Sequence, residues 1–165
     1  MDRTRLNDEV TSRIGDPALA ALLIAKSSLA TERGVTLELE AESWLERVDD
    51  ELSRDLTTVV GNLVDNAFDA VAGLPEAVVK VLVEDTSDGV TVTVRDNGAG
   101  VTGQGSEIFA QGFTTKESGP EGSRGFGLAL SRAVCRRSRG ELTVANHKGA
   151  VFTALLKKSR RLQQS

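Results

Sequence analysis

The sequence predicts an α+β fold: a two-layer sandwich with helices on one face of a mixed, mostly antiparallel sheet. Two observations carry this. Apolar residues recur at helical spacing through two long segments, and four β-like runs fall into two adjacent pairs separated by short turn sequences. Neighbouring hairpins between helical segments favour helices gathered on one face of an antiparallel sheet.

The elements come in this order. Residues 1–15 are polar and begin without an obvious cap, as if cut from something longer. Asp16 can cap a helix whose first position is Pro17, and Gly34 follows its end. Leu19, Leu22, Leu23, Leu29 and Ala30 give Ala18–Arg33 a helical period that only Lys26 interrupts, so this segment reads as a helix separate from the later elements. Val35–Glu40 alternates as a strand, and a second short strand is expected near Trp44–Val48. Leu52–Ala72 is a long helix stopped by Gly73-Leu74-Pro75. Val78–Glu84 and Val90–Arg95 form a hairpin across Ser87-Asp88-Gly89. A helix runs from about Gly125 to Arg139, and Leu142–Asn146 with Ala150–Leu156 makes a last hairpin around Lys148-Gly149. The tail Lys157–Ser165 is basic and frayed.

Composition narrows the function classes. At 165 residues the chain holds one domain with a real core, or one domain and a short appendage. A net charge of −4 argues against a nucleic-acid partner; Arg132, Arg136, Arg137 and Arg139 read as a solvated helix face. The single cysteine, Cys135, excludes a disulfide framework and a cysteine-rich zinc site. No apolar run approaches a membrane span and no signal-peptide layout is present, so a soluble, cytoplasmic chain is expected.

Nine of the sixteen glycines fall between Gly98 and Gly127. Asp96-Asn97-Gly98-Ala99-Gly100 opens the stretch after a strand, and Gly125-Phe126-Gly127-Leu128 closes it at a helix. A glycine loop leading into a helix N-terminus can accept phosphates, which points to a nucleotide. Two familiar motifs fail here. Gly98-Ala99-Gly100-Val101-Thr102-Gly103 spells a dinucleotide fingerprint, but no helix starts within it and no acidic residue ends a following strand. A phosphate loop ending in Gly-Lys-Ser/Thr is absent, as are the Ser/Thr/Tyr kinase signatures.

The long helix adds a third part. Leu56, Val59, Val60, Leu63, Ala67 and Val71 form its apolar face, and Asn62, Asp65, Asn66 and Asp69 its opposite stripe. A solvated stripe normally uses Lys, Glu, Gln or Arg, yet Thr57–Ala72 has no Lys, Arg or Glu. Asn and Asp are poor helix formers, so their concentration there indicates oxygen ligands, of the kind magnesium takes alongside phosphate and water.

These residues resemble a known family. Asn62-Leu63-Val64-Asp65-Asn66-Ala67, Asp96-Asn97-Gly98-Ala99-Gly100 and Gly125-Phe126-Gly127-Leu128 are similar to the N, G1 and G2 boxes of the gyrase B, heat-shock chaperone, histidine kinase and MutL ATP-binding superfamily. Ile108-Phe109 with Gly112-Phe113-Thr114-Thr115-Lys116 resembles the F box of sensor histidine kinases. The run from Asp16 to Val35 looks like the junction before the catalytic domain of citrate- and dicarboxylate-sensor kinases. The resemblance implies a Bergerat-type sandwich with a glycine-rich ATP lid. It divides the chain into residues 1–33, the end of a dimerisation and histidine-phosphotransfer helix with its linker; 34–157, the ATP-binding catalytic domain; and 158–165, a disordered tail.

The implied activity is that of an ATP-dependent protein-histidine kinase of a two-component phosphorelay, with ATP and Mg2+ as cofactors. Asn62, Asn66 and Lys116 are its catalytic set, and Asn66 is the metal ligand. Asp96 accepts the adenine amino group, while Gly98 and Gly100 turn beneath the base. Asp69 belongs to the nucleotide set, although many histidine kinases carry Lys there. Lys116 and Arg124 meet phosphate oxygens, and Gly125, Phe126, Gly127 and Leu128 bring the helix start to the phosphates. Phe109 and Phe113 anchor the lid in the core. Asn62 stands where gyrase-type ATPases have a general-base Glu, so efficient hydrolysis is not expected. Ala150 replaces a Thr that often helps to hold adenine through water.

The only histidine, His147, falls in the closing hairpin, so the phosphate acceptor is expected outside the chain. The implied partners are the parent kinase's histidine-bearing dimerisation domain and a response regulator, in a parent that is a membrane-bound homodimer. Two alternatives stay open: a stand-alone serine kinase that sequesters a sigma factor, and a nucleotide-binding regulatory domain without phosphotransfer. Intact Asn66, Asp96, Gly98 and Gly125 argue against the second.

Overall fold

The computed structural model describes residues 3–100 and 120–158, with 3–4 and 120–126 placed as helical backbone. In chain order the elements are α1 (Arg3–Arg13), α2 (Pro17–Arg33), β1 (Val35–Leu39), α3 (Asp50–Ala70), β2 (Ala77–Asp85), β3 (Gly89–Asp96), α4 (Pro120–Arg137), β4 (Glu141–Asn146) and β5 (Ala150–Lys157). The strands form one sheet in the order β1-β2-β3-β5-β4. β1 pairs with β2 in parallel, and every other pairing is antiparallel. The α+β reading and both hairpins therefore hold.

Alternation along the strands builds the core. Val79, Val81 and Val83 of β2, Val90, Val92 and Val94 of β3, and Phe152, Ala154 and Leu156 of β5 are buried. The register aligns them in rows, such as Val81–Val94–Phe152 and Val83–Val92–Ala154. Against this layer α3 buries Leu56, Val59, Val60, Leu63, Ala67 and Val71, the apolar face read from its sequence. Each of the Val and Leu side chains contributes roughly 1.5–3 kcal/mol when fully removed from water. Cys135 lies in the same core, where burial foremost, then the charges of Glu141 and Asp55, push its thiol up to about 12. It is an inert packing group.

Four expectations are corrected. Residues 3–13 are helical because Leu6, Val10 and Ile14, spaced by one turn, bury a stripe that the polar composition hides. Nor does α2 stand apart: Leu19, Leu23 and Ala30 join the common core. Trp44–Val48 is not a strand, having only the isolated bridge Ile14–Leu45. There Trp44 is 51% exposed and Leu45 is buried. The segment follows β2 and α1 through Trp44 N–H to Val83 O and Leu45 N–H to Arg13 O, then gives way to the cap of α3. Finally, α4 begins at Pro120 rather than near Gly125. Proline is favoured at a first helical position and Glu121 suits the first turn, so the helix starts where those residues allow.

The predicted cap of α2 is present, and it does a second job. Asp16 accepts Leu19 N–H at 3.0 Å and the Ser53 hydroxyl of α3 at 2.8 Å, so one buried carboxylate starts α2 and ties it to α3. Asp16→Ala is expected to lower the unfolding free energy by about 1–2 kcal/mol in a urea titration. A loss under about 0.5 kcal/mol would show that the cap and the tie are dispensable.

Candidate nucleotide site

The site is built where the polar stripe of α3 meets the end of β3 and the first half of α4. β3 places Val90, Val92 and Val94 on the core face, and its period of two puts Asp96 on that same face. Asp96 is therefore a buried carboxylate, only 6% exposed. Its Oδ1 accepts Gly98 N–H at 2.8 Å and Ala150 N–H at 3.3 Å. Both bonds go to one oxygen, which among the described residues leaves Oδ2 for another donor. Burial pushes the Asp96 carboxyl above its ordinary value, and the Gly98 and Ala150 N–H groups pull it partly back.

Two glycines make this arrangement possible. A Cβ on Gly98 would stand 2.6 Å from the Ala70 carbonyl oxygen, so only glycine lets the loop after β3 close onto the end of α3. Gly149 has φ +131°, and a Cβ there would overlap the Asp96 carbonyl oxygen. Gly100 lies beside Asn146 with φ +89°. Ala150 thus serves Asp96 through its backbone N–H, a role that needs no side chain.

On α3, Asn62 Nδ2 donates to Gly127 O at 3.3 Å and to Ser131 Oγ at 3.2 Å, pinning α3 to α4. Asn66, one turn on, is 7% exposed, and its side-chain amide has no hydrogen-bond partner among the described residues. A nearly buried amide oxygen kept free of protein donors fits a hard cation such as magnesium. Asp69 faces Arg33 of α2, Nη1 to Oδ1 3.6 Å. Asp65 takes Lys26 Nζ at 2.6 Å.

The predicted residues Asn62, Asn66, Asp69, Asp96, Gly98 and Gly127 are thus brought to one region. Leu128 is not a lining side chain; it is buried in the core. Gly125 and Gly127 lie inside α4 rather than at its start, because the helix begins at Pro120. Arg124, Gly125 and Phe126 are placed as helical backbone, and Lys116, Phe109 and Phe113 lie outside the described residues. His147 is an exposed turn residue, its N–H bonded to Gly149 O at 2.8 Å. Sequence reasoning missed Ser131 and Arg33; the one visible signal on α2 was Lys26 within an apolar stripe. A separate open cavity of about 550 Å3 lies at the other end of α3, lined by Asp49, Asp55, Arg137 and Lys157 among others. None of the predicted site residues lines it.

Comparison with known proteins decides the family. The profile described as "Histidine kinase-, DNA gyrase B-, and HSP90-like ATPase" matches residues 51–160, which include α3, β3 and α4. The chain belongs to this family. Among curated relatives of this ATPase domain, a probable C4-dicarboxylate sensor kinase of Halalkalibacterium halodurans is 33% identical over 92% of the chain and 29% of the relative. The sensor protein CitS of Bacillus subtilis is 32% identical over 93% of the chain and 28% of the relative. The chain thus spans less than a third of the length of these sensor kinases. In fold it is similar to the nucleotide-free catalytic domain of histidine kinase ThkA, with a TM-score of 0.70, 23% identity and coverage of 87% of this chain and 92% of that one.

The state of Asp96 can be read from stability. Its folded pKa is raised above the ordinary 3.8, so the folded chain holds the proton more tightly than the unfolded one. Stability linked to this group is full below 3.8, falls as pH rises through the raised value, and is flat above it. Asp96→Asn keeps the Oδ1 acceptor and removes the titration. Denaturant midpoints of this variant minus those of wild type should therefore grow between acid and neutral pH. A difference independent of pH would contradict the buried carboxylate.

Proposed function

We propose that this chain is the ATP-binding catalytic part of a two-component sensor histidine kinase, and that it binds Mg-ATP and passes the γ-phosphate to a histidine outside the chain. The observation that carries this reading is Asp96: a buried carboxylate with one oxygen satisfied by backbone N–H groups and, among the described residues, the other left for a donor, where the loop at Gly98 closes on Ala70, one turn past Asn66. An adenine amino group is a donor of that kind. Asn66 would hold magnesium, which would supply neutralising positive charge at the phosphates.

The remaining residues take supporting roles. Gly98 and Gly100 shape the floor under the base. Gly125 and Gly127 bring backbone without side chains to the place where phosphates approach, Phe126 and Leu128 complete that helical turn, and Lys116 and Arg124 supply fixed positive charge. Asp69 borders the phosphate end. Asn62 is an amide committed to Gly127 and Ser131, so it cannot take a proton from water. The chain is accordingly a poor ATPase and a phosphotransferase toward an external acceptor. Residues 1–33 are read as the end of the dimerisation element and its linker, 34–157 as the catalytic domain and 158–165 as the tail. The parent is read as a membrane-anchored homodimer that places this domain in the cytoplasm and serves a response regulator; no described helix is long and apolar enough to cross a membrane.

Calorimetric titration with Mg-ATP tests the binding half. Loss of a hydrogen bond to a charged acceptor costs about 1.5–3 kcal/mol, so Asp96→Asn should bind roughly 10- to 150-fold more weakly. Unchanged affinity would contradict the adenine assignment. The transfer half is tested with [γ-32P]ATP. The chain alone should form no phosphohistidine, a supplied acceptor-histidine fragment should be labelled, and Asn66→Ala should abolish labelling. Label on His147 would overturn the reading.

A further inference from the structure

We infer that Arg33 is a positioning residue of the nucleotide site: its guanidinium neutralises Asp69 at the phosphate end, so that the seating of α2 on α3 sets the affinity for polyphosphate. This rests on the reading of α3 as a Mg-ATP helix. Two carboxylates, Asp65 and Asp69, flank Asn66 on that helix. Left bare, they would repel a triphosphate within a few ångströms, where charges interact strongly. Each is instead met by a cation from α2, Lys26 Nζ at 2.6 Å from Asp65 and Arg33 Nη1 at 3.6 Å from Asp69.

α2 runs parallel to α3 and is fixed along its length. Asp16 holds Ser53, Leu22 lies against Gly61, Lys26 meets Asp65 and Arg33 meets Asp69. The two cations therefore arrive and leave together with α2. Arg33 also sits immediately before Gly34, whose φ of +72° ends the helix and starts β1, so its backbone is held from both sides. Its side chain is 48% exposed, and an exposed ion pair adds little to folding. Its worth at this position is the charge it sets beside Asn66.

The test compares charge-dependent with charge-independent binding. Mg-ATP and adenosine displace a fluorescent ATP analogue from the wild-type chain, Arg33→Gln, Arg33→Lys, Asp69→Asn and the double variant Arg33→Gln/Asp69→Asn. Arg33→Gln should weaken Mg-ATP about tenfold and adenosine less than twofold. Arg33→Lys should restore most of the loss, and the double variant should bind Mg-ATP to within about threefold of the Asp69→Asn single variant, since Arg33 then has no carboxylate left to neutralise. Equal weakening of both ligands would mean that Arg33 only supports the fold, and failure of Asp69→Asn to rescue would mean that Asp69 is not what Arg33 neutralises; either result overturns the inference. A wild-type chain that binds no Mg-ATP removes the reading beneath it, and the inference with it.

Discussion

The arrangement depends on a carboxylate kept where the sheet is otherwise hydrocarbon. Taking an ion out of water costs several kcal/mol unless hydrogen bonds replace the lost hydration. Among the described residues Asp96 has two, both on one oxygen. The neighbouring backbone is shaped to deliver them. Gly98 turns back over the end of α3 to give one N–H, and Gly149 passes against the Asp96 carbonyl so that Ala150 can give the other. A fold selected only for stability would place valine at the end of the β3 row, as it does at positions 90, 92 and 94. On the proposed reading, retaining the acid trades stability for an acceptor that meets the base.

α3 carries the same compromise in another form. Half of its surface is core, and the other half uses residues that disfavour helices. The buried face, from Leu56 to Val71, offsets that weakness through packing on β3 and β5. The polar half is then shared between neighbours: α4 takes Asn62, α2 takes Asp65 and Asp69, and Asn66 between them is left without a protein donor among the described residues. A helix held from both sides leaves the Asn66 amide little freedom to move away, which is what the proposed cation site would require.

Much of this was legible in the sequence, for identifiable reasons. Period 3.6, a rule that acts within a few residues, put Asn62, Asn66 and Asp69 on one side of α3, whereas Asp96 stood out through its place in the Asp96-Asn97-Gly98-Ala99-Gly100 motif after the strand. Asp16 and Gly34 marked the ends of α2 because caps are local chemistry. The failures involve distant partners. Leu6, Val10 and Ile14 formed too thin a stripe to read before their neighbours were known, and Trp44–Val48 looked strand-like until its backbone bonds went to β2 and α1. The start of α4 was drawn from the glycine motif when Pro120 was the stronger local signal. Ser131 and Arg33 lie 69 and 36 residues from the side chains they meet, and no spacing rule reaches that far.

The most direct measurement is a crystal structure of the chain soaked with magnesium and a non-hydrolysable ATP analogue. The account predicts the adenine amino nitrogen within hydrogen-bond distance of Asp96 Oδ2, with Oδ1 still on Gly98 and Ala150, and the Asn66 side-chain oxygen on the metal. A base bound elsewhere, as in the cavity between Asp49 and Arg137, with Asp96 untouched, would contradict it.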